Sequence, residues 1–186
     1  MLVEAHEQDA ERIASLHIAS WQATYARELS QAFLQHQDLA VRTAEWRGQL
    51  ADGVAVLLSA EGDGIAGFIA CGPVRSGRGK PDEWEIYNLH VAPLRQGGGL
   101  GSQLFDAAVG LGLERGAREL VLWVVKTNTT ARAFYERKGM RWDGGEQRHV
   151  LAAEEKLDEV RYRMSLSGSR WPASDPATDE GESDVR

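Results

Sequence analysis

Apolar positions along the chain change their period several times, and each change marks an element. Ala14, Ile18, Trp21 and Tyr25 recur every three or four residues, with Ile13 and Leu16 widening the stripe. That spacing predicts one helical face, in a helix capped by Asp9 and running to about Ala26. Leu39, Thr43, Trp46 and Leu50 repeat the pattern and predict a second helix, starting near Asp38 and ending at Gly53. The period then collapses into short apolar runs. Val54 to Ala60 and Ile65 to Cys71 flank Glu61-Gly62-Asp63-Gly64, the signal of a β-hairpin, and Gly72-Pro73 is expected to break its second strand.

Trp84 to Val91 predicts a third strand. A helical pattern from Leu100 to Glu114 follows, stopped by Gly116. Leu120 to Val125 is continuously apolar, as suits a strand covered on both faces. Asn128 is a good N-cap, Ala131, Phe134 and Tyr135 share one helical face after it, and Gly139 suits the C-terminal stop. Met140 to about Val150 and Asp158 to Leu166 predict two closing strands. In the last, Val160, Tyr162, Met164 and Leu166 alternate with Glu159, Arg161, Arg163 and Ser165. The expected order is α-α-β-β-β-α-β-α-β-β, a mixed sheet flanked by helices.

Composition changes this picture at one place. Residues 167–186 carry five acidic residues against two arginines, two prolines, and only Trp171 and Val185 as bulky apolar residues. Such a segment cannot bury enough surface to order itself, so a domain over 1–166 and a disordered acidic tail over 167–186 are expected. The whole chain, 186 residues with 42% hydrophobic content, is long enough for one sizeable core. A net charge of −7 disfavours nucleic acid as a partner. No apolar run is long enough to span a membrane, and the first residues lack a secretory pattern. Cys71, the single cysteine, excludes an internal disulfide and fits a buried small hydrophobe. These features suggest a cytoplasmic protein. No histidine or cysteine spacing suits a metal.

The chemistry concentrates in Gln96-Gly97-Gly98-Gly99-Leu100-Gly101-Ser102. Consecutive glycines between a strand and a helix lose much backbone freedom on folding. A phosphate repays that loss, because bare N–H groups and a helix N-terminus can close around it. The dinucleotide pattern fails at Ser102, where its third glycine should stand, and the P-loop triplet Gly-Lys-Ser/Thr is absent. Gln96-x-x-Gly99-x-Gly101, with Val91-x-Pro93 upstream, resembles the acyl-CoA signature of the GNAT N-acetyltransferase superfamily. Asn128-x-x-Ala131-x-x-Phe134-Tyr135-x-x-x-Gly139-Met140 resembles its later motif, with Met140 in place of the usual Phe. The resemblance covers roughly Gly53 to Leu166.

It implies an α/β fold of GNAT type, a mixed, mostly antiparallel sheet whose two central strands splay to admit the pantetheine arm. It implies acetyl-CoA as cosubstrate and direct attack by an amine. The pyrophosphate would lie on Gln96, Gly97, Gly98, Gly99, Leu100, Gly101 and Ser102. The thioester would lie along Leu89, His90 and Val91, a bulge in this strand would free a backbone N–H near them for its oxygen, and Asn128 and Tyr135 would flank the arm.

Acetyl transfer needs a base, an oxyanion donor and an acid for the thiolate. Glu85, six residues before Val91, is the candidate base, set against a reading in which Glu83 and Glu85 are a solvated strand entry. His90 is a second titratable group there, better suited to lining the acceptor site. Tyr135 is the candidate acid, since a phenol of pKa about 10 can donate to a developing thiolate. Trp21 and Tyr25, with Phe33 and Trp46 nearby, are candidates to wall a small-molecule or peptide amine. A homodimer is left open. The competing readings are a non-catalytic acyl-CoA-binding sensor or accessory domain, and a nucleotide-binding α/β module, which the two failed patterns oppose.

Overall fold

In the computed structural model, residues 1–75, 79–152 and 154–167 are described. The strands are β1 (Leu2–Glu4), β2 (Ala55–Glu61), β3 (Gly64–Pro73), β4 (Glu83–Val91), β5 (Glu119–Val125), β6 (Arg141–Val150) and β7 (Lys156–Ser165). The helices are α1 (Ala10–Thr24), α2 (Gln31–Gln35), α3 (Leu39–Ala51), α4 (Leu100–Glu114) and α5 (Thr129–Arg137). The strands form one sheet in the order β1-β2-β3-β4-β5-β7-β6, antiparallel throughout except for β4 beside β5.

The sheet is covered on both faces, which explains the unbroken apolar run in β3. Ile69 and Cys71 enter a core with Leu104, Phe105, Ala108 and Val109 of α4. Phe68 and Ala70, one residue out of phase, enter a second core with Ile13 and Ala14 of α1 and Trp46 of α3. A smaller cluster joins Leu29 and Leu34 to Val125 and Leu157, at the end of β5 and β7.

Several expectations shift. Asp9 does not cap α1 with its side chain. Its carboxylate accepts from the backbone N–H of His6 at 3.0 Å and pairs with Arg12 at 2.9 Å. Asp38 does cap α3, accepting from the N–H groups of Ala40 and Val41. Strand β3 continues through Gly72 to Pro73 instead of breaking there, and Pro73 pairs with Trp84. Strand β1 and helix α2 were not expected. Of the expected tail, residues 168–186 lie outside the described residues.

Two features of β4 set up the site. First, the β3 register jumps from Ala70↔Asn88 to Cys71↔Ile86, so Tyr87 is an extra residue, a β-bulge. Second, β4 and β5 pair only from Glu83↔Glu119 to Ile86↔Leu122. Beyond that point β4 stays with β3 to Val91, and β5 stays with β7 to Val125↔Glu159. The centre of the sheet therefore opens.

Candidate active site

A cavity of about 530 Å³ fills this opening. Its walls include Trp21, Tyr25, Glu85, Leu89, His90, Asn128 and Tyr135, seven residues singled out in the sequence. Val91 and the loop from Gln96 to Ser102 are not part of the wall. They lie further along the chain from the same strand, where β4 turns into α4.

In that loop, Gly97 and Gly99 adopt φ +78° and +85°, a left-handed backbone that favours glycine. Gly99 is the N-cap of α4 and has no side chain to satisfy the first-turn N–H groups. The first helical bond runs from Gln103 N–H to Gly99 O at 3.1 Å, which leaves the N–H groups of Leu100, Gly101 and Ser102 without intrahelical acceptors. Gln96 through Gly99 are exposed, and the Gln96 amide donates back to the Val91 carbonyl at 3.3 Å. This is a ready anion cradle.

The bulge in β4 determines which side chains face the cavity. Glu85 and His90 are five residues apart and would face opposite sides of a regular strand. With Tyr87 inserted, both line the cavity. Glu85 is buried. It accepts from the Arg75 backbone N–H at 3.0 Å, with the Arg75 guanidinium at 3.9 Å. Burial raises its pKa above the ordinary carboxylate range, and the Arg75 contacts pull the other way. Glu83, also buried and on the same face two residues earlier, lies outside the cavity wall and is held by Arg163 at 2.7 Å and by Lys80 N–H.

The backbone of β4 also carries donors toward the opening. Ala92 N–H bonds to Ala66 O at 2.8 Å, which sets the phase of the β3 ladder. Alternation then turns the N–H groups of His90 and Asn88 toward β3, and those of Leu89 and Val91 toward the side that β5 has left. The bulge thus lies at Tyr87, within the expected strand; what frees Leu89 and Val91 is the splay.

Asn128 caps α5 by accepting from Ala131 N–H at 3.1 Å. About two turns on, Tyr135 is 8% exposed and borders the cavity. Its hydroxyl has no hydrogen-bond partner among the described residues. Burial pushes its pKa up, so it is protonated at neutral pH. Tyr25, raised to about 12 chiefly by burial, stands edge-on to Trp21 at 5.3 Å.

His90 is held as a neutral ring by burial, which lowers it to about 4. It stacks on His17 at 4.8 Å and on Phe68 at 5.3 Å. Sequence reasoning missed His17. The Trp46 indole N–H donates to its Nδ1 at 3.1 Å, which leaves the proton on Nε2. Burial first, then the neighbouring His90 and Arg42, lowers it to about 2. Arg75 and Glu159 were missed as well. Glu159 had been read only as a polar position in an alternating strand. Cys71 is fully buried and burial raises its thiol to about 11, so it is not a nucleophile.

The model of the acetyltransferase (GNAT) family matches residues 10–140. The chain belongs to that family. It is 25% identical over 169 residues to the uncharacterized N-acetyltransferase YuaI of Bacillus subtilis, covering 91% of each chain. It is 33% identical over 129 residues to a mycothiol acetyltransferase of Arthrobacter, covering 68% of this chain and 39% of that protein. Among solved structures it resembles yncA of Salmonella typhimurium, solved with its cofactor acetyl-CoA. That match has a TM-score of 0.66 at 20% identity and covers 92% and 96% of the two chains. The mixed seven-stranded sheet flanked by helices is the GNAT fold.

Proposed function

We propose that this family member is an acetyl-CoA-dependent N-acetyltransferase that works by direct attack of an amine on the thioester. The observation that carries the reading is the convergence, in one opening between β4 and β5, of a buried carboxylate, two freed backbone N–H groups and an unpartnered phenol. The yncA complex supports acetyl-CoA as the occupant, with its pyrophosphate on the Gln96–Ser102 cradle and its arm between the strands. The acceptor enters from the side of Trp21 and Tyr25.

Each residue then has a defined task. Glu85 takes the proton of the ammonium, directly or through water. The free amine attacks the carbonyl carbon, and the C–N bond forms as charge moves onto the oxygen. Leu89 or Val91 N–H donates to that oxygen. The C–S bond breaks, Tyr135 gives its proton to the departing thiolate, and the acylated nitrogen sheds its extra proton to water, from which the tyrosinate is reprotonated. Burial keeps Tyr135 protonated up to the moment of transfer, while its raised pKa makes the transfer to sulfur more costly.

The test is acetyl-CoA turnover with a panel of amines, including small monoamines, diamines, peptide N-termini and the amine acceptor used for mycothiol. Turnover is expected with at least one amine. Tyr135→Phe is expected to lower kcat about 10²–10⁴-fold while CoA affinity holds. Glu85→Gln is expected to lose most rate at low pH, where an unassisted amine stays protonated. CoA binding without turnover of any amine would leave a non-catalytic CoA-binding domain as the better reading.

A further inference from the structure

Three carboxylates line the cavity, and acetyl transfer uses one of them. Glu85 is attended by Arg75, and Glu45 on the α3 wall is paired with Arg42 at 2.8 Å. Glu159 of β7 also lines the cavity, with its side chain 12% exposed. Among the described residues it has no lysine or arginine within salt-bridge distance. Gln147 Nε2 donates to one oxygen at 2.8 Å, and His149 Nδ1 lies 3.6 Å from the other. A carboxylate taken this far out of water without a permanent counter-charge is costly. A cationic ligand would supply what the chain does not.

We propose that Glu159 anchors a second positive charge on the acceptor, so that the preferred substrate is a short diamine or similar dication rather than a simple monoamine. The proposal rests on the acetyltransferase reading above. Glu85 receives the amine that reacts, and Glu159 holds the other end. Trp21, Tyr25 and Phe33 wall the same space, and their ring faces attract ammonium groups. One independent feature also points to a polar ligand here. The Tyr135 hydroxyl has no partner among the described residues, on a residue 92% buried, as its 8% exposure gives. Glu159 raises the pKa of both Glu85 and Tyr25, which places all three within electrostatic reach of one another.

The experiment compares 1,4-diaminobutane with butylamine in the full chain. The ratio of kcat/KM for the diamine over the monoamine is expected to exceed one in the parent and to fall about tenfold in Glu159→Gln, through KM, as loss of a charge-assisted contact predicts. Gln147→Leu, which releases the carboxylate from its hydrogen bond, is expected to lower the ratio in the same direction. It serves as the second variant if Glu159→Gln fails to fold. An unchanged ratio in the folded variants overturns the proposal. Calorimetric binding of the diamine to the CoA-loaded protein separates the two readings. Binding that depends on Glu159 without turnover would uphold the anchor and overturn the enzyme, and Glu159-independent binding would overturn the anchor.

Discussion

Glu85 shows how single contacts set a candidate base. Burial raises its carboxyl, and Arg75 opposes the rise from a backbone N–H and a guanidinium that also stacks on Tyr87 at 3.9 Å. Glu159 from β7 adds to the rise. Arg75→Gln keeps the backbone contact and removes the charge. The Glu85 pKa should then climb further, and the acidic limb of the pH–rate profile should move to higher pH. A profile that stays in place, measured with one good amine, would mean that another group sets that limb. His17 is constrained differently: Trp46 fixes its tautomer, and the surrounding rings keep it neutral.

At the level of elements, β4 performs three tasks along nine residues. Its first turn of pairing, to Ile86, ties the two halves of the sheet. The Tyr87 bulge then aims Glu85 and His90 into one cavity, and the last stretch presents free N–H groups before the glycine loop. Helix α4 must therefore pack closely on β3 to support the loop, and Gly67 is where it does. A Cβ there would stand 2.9 Å from the His90 carbonyl and 3.1 Å from a Leu104 methyl. Gly67→Ala should cost about 1–3 kcal/mol as overpacking, read as a lower Tm. It should also weaken CoA binding through movement of β4. Gly101→Ala is the control for Tm alone, since its Cβ would meet Val91 at an ordinary 3.6 Å.

For the whole molecule, the aromatic cluster of His17, Trp46, Phe68 and His90 joins α1 and α3 to the sheet. Two of its members are histidines that the fold keeps neutral, at about 2 and about 4 against 6.5 in an unfolded chain. Below pH 6.5 the unfolded chain takes up protons that the native protein refuses, so stability must fall as pH falls. The loss approaches about 1.4 kcal/mol per pH unit for each group, down to its folded pKa. Glu85, raised in the fold, acts in the opposite sense. Urea unfolding at pH 7 and pH 5 should show the loss. His17→Gln, which still offers an acceptor to Trp46, should reduce the slope. An equal slope in both proteins would place the titrating groups elsewhere.

Local pattern determined much of this protein. The α4 boundaries, the Asp38 and Asn128 caps, the hairpin around Gly62 and the two-faced burial of β5 follow from periodicity and capping chemistry, which act over a few residues. The glycine loop and the Asn128 motif, equally local, pointed to the family. What the sequence could not contain was the meeting of distant strands. The Tyr87 bulge exists only as a mismatch between β3 and β4, and the opening of the sheet only as the end of pairing between β4 and β5. Glu159, an unremarkable polar position in its own strand, joins the cavity because β7 lies beside β5. Arg75 and His17 reach the site through contacts across 10 and 29 residues, to Glu85 and to Trp46. Pairing partners and desolvation are properties of the assembled sheet, so they decided which of many polar side chains face the candidate site.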